Sequence, residues 1–134
     1  SARLEFAYPR IGLSGDGGST YLLPRLVGMR AAQEIAFRDE PIGAEEAVDI
    51  GLATEAVSDD KLEERLTEEA ERLASGPTKS YAATKGLLRK SFDNSLNEQL
   101  AEEGDTIAGL TDTEDFTRGH AAFNSDENPD FTGE

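Results

Sequence analysis

Between residues 12 and 24 the chain reads Gly12-Leu-Ser-Gly-Asp-Gly-Gly-Ser-Thr-Tyr-Leu-Leu-Pro24. Glycines 12, 15, 17 and 18 make the first part of this stretch too permissive for a helix or strand interior. It must be a turn whose backbone can take positive φ and let another group approach closely, and it runs straight into an apolar, helix-like segment. Its single charged group is Asp16. Two readings are open: an aspartate is a favoured turn and cap residue for a following helix, and a carboxylate displayed on such a turn in a dry site can transfer protons.

Ahead of the turn, Ser1 to Ile11 alternate loosely through Leu4, Phe6 and Tyr8, as an extended segment does. Such a segment needs neighbouring strands to pair with. It opens without a cap, turn or partner upstream, so we expect the chain to begin inside a larger fold. After the turn, Ser19 to Val27 reads as a short helix bent or delayed by Pro24. Gly28 punctuates it, and Met29 to Phe37 forms a second short helix with Ala32, Ile35 and Ala36 apolar. Ile42 to Ala47 begins a third, ended by Gly51, and Leu52 to Val57 reads as a short strand or extended link.

Asp59 or Asp60 then starts a helix in which Leu62, Leu66, Ala70 and Leu73 recur at helical spacing. Gly76-Pro77 stops it, and Pro77 suits the first residue of the next helix, which carries Tyr81, Thr84, Leu88 and Phe92 on one face. Ser95-Leu-Asn-Glu98 is a capping box; it opens a helix expected to turn Leu96, Leu100, Ile107 and Leu110 inward. Thr111-Asp-Thr-Glu114 is a second candidate box, leading to a helix through Phe123. Asn124 to Glu134 is polar, with Phe131 as a lone anchor. The chain therefore reads as mainly α, with one or two extended segments and no internal repeat.

At 134 residues this is one domain's worth of chain, long enough to bury an adequate core. Against 13 Lys and Arg stand 28 Asp and Glu, a net charge of −15, with acids in nearly every segment after residue 34. A face built for a cationic partner would concentrate its charge. Dispersal instead suits a halophile-like surface working in high salt, where repulsion is screened, and it implies weak stability at low ionic strength. With a pI near 4.3, nucleic-acid binding is excluded. The absence of cysteine removes disulfide and thiolate chemistry and points to a reducing, cytoplasmic compartment. His120, the one histidine, leaves no multi-His metal site. No run of 18 apolar residues spans a membrane, and no basic-then-apolar signal opens the chain.

The order of several segments now becomes informative: Arg10-Ile-Gly-Leu-Ser-Gly-Asp-Gly-Gly-Ser-Thr-Tyr-Leu-Leu-Pro-Arg-Leu-Val-Gly28, Ile42-Gly-Ala-Glu-Glu-Ala-Val-Asp-Ile-Gly-Leu52, Thr84-Lys85, Glu102 with Glu103, Arg118-Gly-His-Ala-Ala-Phe123 and Asn128-Pro-Asp-Phe131. Together they make the chain resemble the C-terminal half of the crotonase superfamily, the enoyl-CoA hydratases and isomerases. The likeness covers nearly all 134 residues, and its specificity lies in order and spacing rather than in one motif. It implies an α/β, crotonase-like family fold of which this chain is the mainly α, helical C-terminal part. Residues 1–57 would be the end of the crotonase core, and residues 58–134 a helical region of the kind that builds homotrimers or hexamers. The family's N-terminal half supplies two backbone N–H groups of an oxyanion hole and one catalytic glutamate of the true hydratases. That half is expected to lie outside this chain, which on its own would be inactive.

Hydratases place their second catalytic glutamate four residues before the glycine matching Gly12, and Tyr8 stands there. Asp16 matches the aspartate that shuttles a proton between carbons in dienoyl-CoA and epoxyphenylacetyl-CoA isomerases, and that serves as nucleophile in chlorobenzoyl-CoA dehalogenases. Tyr21 to Gly28 looks most like the phenylacetyl-CoA-type isomerases. The resemblance thus implies double-bond isomerisation of an acyl-CoA through a catalytic Asp16. It puts Tyr8, Gly15, Gly17 and Lys85 against the substrate, with no metal and no cofactor beyond the coenzyme A that the substrate carries. Tyr8 equally suits packing in the core. Lys85, Arg89 and Lys90 form a cationic cluster on an acidic background, suited to the coenzyme's phosphates. Where family members carry basic residues before the final Pro-x-Phe, this chain has Asn124-Ser-Asp-Glu-Asn128. His120, Phe123 and Phe131 read as packing residues. The alternatives are a hydratase proper, an aspartate-nucleophile hydrolase or dehalogenase, and a non-catalytic oligomerisation module.

Overall fold

A computed structural model describes residues 1–125 and 127–134; Asp126, inside the acidic stretch before the final Pro-x-Phe, lies outside the described residues. The chain divides into two compact units, Ser1–Glu63 and Glu64–Glu134.

In the first unit, β1 (Arg3–Leu4) pairs antiparallel with β2 (Ile42–Gly43), Arg3 opposite Gly43 and Leu4 opposite Ile42. Only these two residues of the opening segment are strand. Tyr8–Ile11 instead wind into a 3-10 turn with Pro9 in its first positions, where a fixed φ and a missing N–H cost nothing. Helix α1 (Ser19–Arg38) is broken at Gly28, whose φ of 79° and ψ of 158° are non-helical. The two short helices expected from the sequence are therefore present, and glycine rather than Pro24 makes the break. Helix α2 (Ala44–Asp49) closes with the Leu52 N–H on the Ala47 carbonyl at 2.8 Å and the Gly51 N–H on Val48 at 3.0 Å. Gly51 takes φ 77° there, the Schellman closure that a C-terminal glycine favours. Leu52–Val57 is a link, not a strand. The unit buries Ala32, Ile42 and Ala47.

Helix α3 (Leu62–Ala74) follows a 3-10 turn at Asp59–Lys61, so the division between the units falls inside the start of this helix. Helix α4 (Thr78–Lys90) has Pro77 at its cap position rather than as its first residue. Ser95 and Glu98 form the expected reciprocal capping box at the head of α5 (Leu96–Leu110). The stripe of α5 expected to turn inward is exposed at Leu96, Leu100 and Ile107, and Leu88 on α4 and Phe92 just past its end face out as well. Half-buried instead are Ala83 and Leu87 on α4 and Gln99, Glu102, Glu103, Thr106 and Leu110 on α5. Polar bonds join the two helices on this face. Gln99 Nε2 donates to the Leu87 carbonyl at 3.3 Å, and Lys90 Nζ to Glu102 Oε2 at 2.8 Å.

Helix α6 (Glu114–Ser125) is capped by Thr113, whose hydroxyl accepts from the Phe116 N–H at 3.1 Å, and not by Thr111, which closes α5. Its second residue, Asp115, is only 4% exposed. The tail folds back onto it: the Thr132 and Gly133 N–H groups each donate to its carboxylate at 2.8 Å, and its own N–H donates to the Glu134 carbonyl at 3.0 Å. Phe131 lies against Gly119, where a Cβ would come within 3.3 Å of the ring. The expected anchor is therefore reinforced by a buried carboxylate clamp.

With Ala122 of the second unit, the buried apolar residues among those described number four.

Candidate active site around Asp16

The glycine turn closes through the Ser19 N–H on the Asp16 carbonyl at 2.9 Å. Gly17 and Gly18 occupy its two central positions at φ 59° and 83°, both left-handed, as a type I′ turn requires. Gly18 is also the N-cap of α1, and no side chain bonds the helix's first turn. The capping reading of Asp16 therefore fails. Its carboxylate turns the other way, where the Tyr8 hydroxyl donates to Oδ1 at 2.5 Å. That bond to a carboxylate is the main reason the Tyr8 phenol ionises above its ordinary value. The Tyr8 ring meets Phe6 edge to face, centroids 5.0 Å apart. The Tyr8 ring thus packs on Phe6 while its hydroxyl is held by Asp16.

Gly15 is required by close approach. A side chain there would come within 2.6 Å of the Phe6 ring and meet the Ser19 hydroxyl. That hydroxyl is buried and has no hydrogen-bond partner among the described residues. Gly17 has open space about it, so its φ is the constraint. An apolar cavity of about 240 Å³ lies beside the turn, lined by Phe6, Ser19, Leu22, Leu23 and Leu26 among others.

A second carboxylate holds the segment that carries Tyr8. Asp39 accepts the Ala7 N–H on Oδ1 at 2.6 Å and the Arg10 Nε–H on Oδ2 at 2.7 Å, while Arg10 also donates to the Asp39 carbonyl at 3.0 Å and to Glu5 at 2.9 Å. Asp39 first and Glu5 second raise the pKa of the Arg10 guanidinium. Sequence reasoning missed Asp39. Its signal was an acid at the carbonyl end of a helix, where the dipole disfavours it unless a cation attends.

Tyr8, Gly15, Asp16 and Gly17 thus come together in the first unit, while Lys85 is exposed on α4 in the second. Of the cationic cluster, Lys90 is paired with Glu102. Among the described residues no group of three His, Cys, Asp or Glu is placed to hold a metal ion, and no helix is long and apolar enough to cross a membrane.

A strand end, a glycine turn bearing a carboxylate and a run of helices define the later part of a crotonase-type fold. All 134 residues match the family described as enoyl-CoA hydratase/isomerase, and the chain belongs to it. A Rhodobacter capsulatus protein named a probable enoyl-CoA hydratase is 42% identical over 133 residues, 99% of this chain and 52% of the relative. The 1,2-epoxyphenylacetyl-CoA isomerase of Escherichia coli is 32% identical over 133 residues, 99% of this chain and 51% of the relative. The crystal structure of an enoyl-CoA hydratase/isomerase from Cupriavidus metallidurans superposes with a TM-score of 0.91 at 36% identity, covering 98% of this chain and 50% of that one. The chain spans about half the length of these relatives.

Proposed function

We propose that Asp16 is the proton carrier of a double-bond isomerase acting on acyl-CoA thioesters, within a protein of which this chain is one part. The observation that carries this reading is the Tyr8–Asp16 bond. It engages Oδ1 and leaves Oδ2 without a partner among the described residues, and it puts a phenol where a hydratase of the family would bring its second carboxylate. Hydration needs one group for the water and another for the α-carbon; a single carboxylate suffices to move a proton. On a 3-enoyl thioester, Asp16 takes the proton from C2, the electron pair delocalises over C2–C4 and the thioester oxygen, and the same carboxyl returns the proton to C4. The double bond ends between C2 and C3. The oxyanion donors, each worth about 3–4 kcal/mol, would come from outside this chain. Lys85 would meet the phosphates of the coenzyme, the only cofactor in this reading.

The test is substrate choice by the full-length protein in high salt. It is expected to convert 3-enoyl-CoA to 2-enoyl-CoA and to add no water to 2-enoyl-CoA. Steady hydration of the 2-enoyl thioester would favour the hydratase, and an acyl ester on Asp16 detected by mass spectrometry would favour the nucleophile reading.

Self-association belongs to the same proposal. Leu96 at 73% and Phe123 at 87% exposure leave large apolar groups uncovered on α5 and α6, the condition under which copies associate. Sedimentation of the full-length protein is expected to give a trimer or hexamer; a monomer would remove this part.

A further inference from the structure

We propose that Asp39 is a positioning residue of this site: by gripping the Ala7 N–H and the Arg10 guanidinium together, its carboxylate sets the turn that aims the Tyr8 hydroxyl at Asp16. The functional weight of this inference rests on the reading of Asp16 as proton carrier; its geometry does not.

Ala7 stands at φ 61°, a left-handed conformation that a residue with a Cβ rarely adopts and that persists only where its surroundings impose it. What imposes it is visible. The Ala7 N–H is bound to Oδ1 of Asp39, and three residues on, Arg10 Nε is bound to Oδ2. One carboxylate therefore holds both ends of a four-residue stretch whose second member is Tyr8. The side chain of Asp39 is only 8% exposed. Its backbone is equally fixed: φ is 52°, and its N–H donates to the Ile35 carbonyl at 3.2 Å, closing α1. The first of the two helical segments of α1 begins at the Gly18 cap, two residues past Asp16, and the second ends at Asp39. A closed circuit results, running from Asp16 through α1 to Asp39, across to Ala7, and back through the Tyr8 hydroxyl. The charged group that acts on the phenol is Asp16 on the glycine turn; Glu5, Arg10 and Asp39 make up the clamp.

The experiment follows the ionisation of Tyr8 in the full-length protein by NMR of ¹³Cζ-labelled tyrosine across alkaline pH, with Tyr21 and Tyr81 as internal controls. In the wild type Tyr8 is expected to titrate above the ordinary tyrosine value, and Asp16→Ala, which removes the acceptor, to bring it down toward that value. Asp39→Asn, with Asp16 intact, is expected to bring it down as well while Tyr21 and Tyr81 stay put. A Tyr8 midpoint that remains elevated in folded Asp39→Asn overturns the proposal. If that variant unfolds, Arg10→Gln is read in its place, and the same two outcomes decide. In the full-length protein Asp39→Asn is expected to lower kcat by about 10–100-fold with KM within about twofold, and to add nothing in a Tyr8→Phe background. Additive losses would also count against it. Because the NMR reading involves no substrate, failure of the clamp is distinguishable from failure of the proton-carrier reading, which shows only in turnover.

Discussion

The hydroxyl of Tyr8 and the carboxylate of Asp16, 8 residues apart in sequence, are joined by a 2.5 Å hydrogen bond across the glycine turn. A second carboxylate at position 8 would face Asp16 as a like charge and raise the cost of ionising both. A phenol instead donates, so the pair carries one negative charge and one carboxylate oxygen stays available for a reacting proton.

This bond has a pH signature. The folded-state pKa of Tyr8 lies above its unfolded value, so the stabilisation from the pair is fully present below the ordinary tyrosine value of about 10 and is lost as pH climbs through the raised one. Denaturant unfolding of the wild type and of Tyr8→Phe, stepped from neutral to alkaline pH, is expected to show a gap that narrows only at the alkaline end. A gap constant with pH would mean that the hydroxyl contributes nothing through Asp16.

Asp115 is expected to govern the docking of the tail. Asp115→Ala strips two part-buried N–H groups, those of Thr132 and Gly133, of their acceptor, at a cost of about 1–3 kcal/mol. Urea unfolding reads this cost directly. Hydrogen exchange at Thr132 and Gly133 is expected to rise in step, and unchanged protection there would show that other contacts hold the tail.

We propose that the acid-coated surface is tuned to salt. With a net charge of −15, screening by concentrated KCl relieves self-repulsion within a few ångströms. The thermal midpoint is expected to climb steadily with KCl concentration. A midpoint indifferent to salt would leave the dispersed acids without this role.

What was legible in the sequence was what depends on a single turn of chain. The break at Gly28, the Gly51 closure and the Ser95–Glu98 box each require only a local dihedral or a bond three to five residues away. What was not legible depends on distant partners. Asp39 meets Ala7 across 32 residues, and Asp115 meets Thr132 across 17; neither residue type announces such a bond. The apolar stripe of α5 was visible as periodicity, but periodicity marks a face without saying what covers it. The face of α5 that meets α4 carries Gln99 and Glu102 instead. At the site, the residue types were readable and the family resemblance singled out Asp16. The direction of its carboxylate, away from the helix and onto Tyr8, required coordinates.

Proton transfer through Asp16 is read in single-turnover conversion of 3-enoyl-CoA to 2-enoyl-CoA by the full-length protein. Asp16→Asn keeps the size of the side chain and the contact with Tyr8 but cannot take up a proton. The variant is expected to lose about 10²–10⁴-fold in the chemical step, with substrate binding preserved. Turnover within about threefold of the wild type would contradict proton transfer through Asp16.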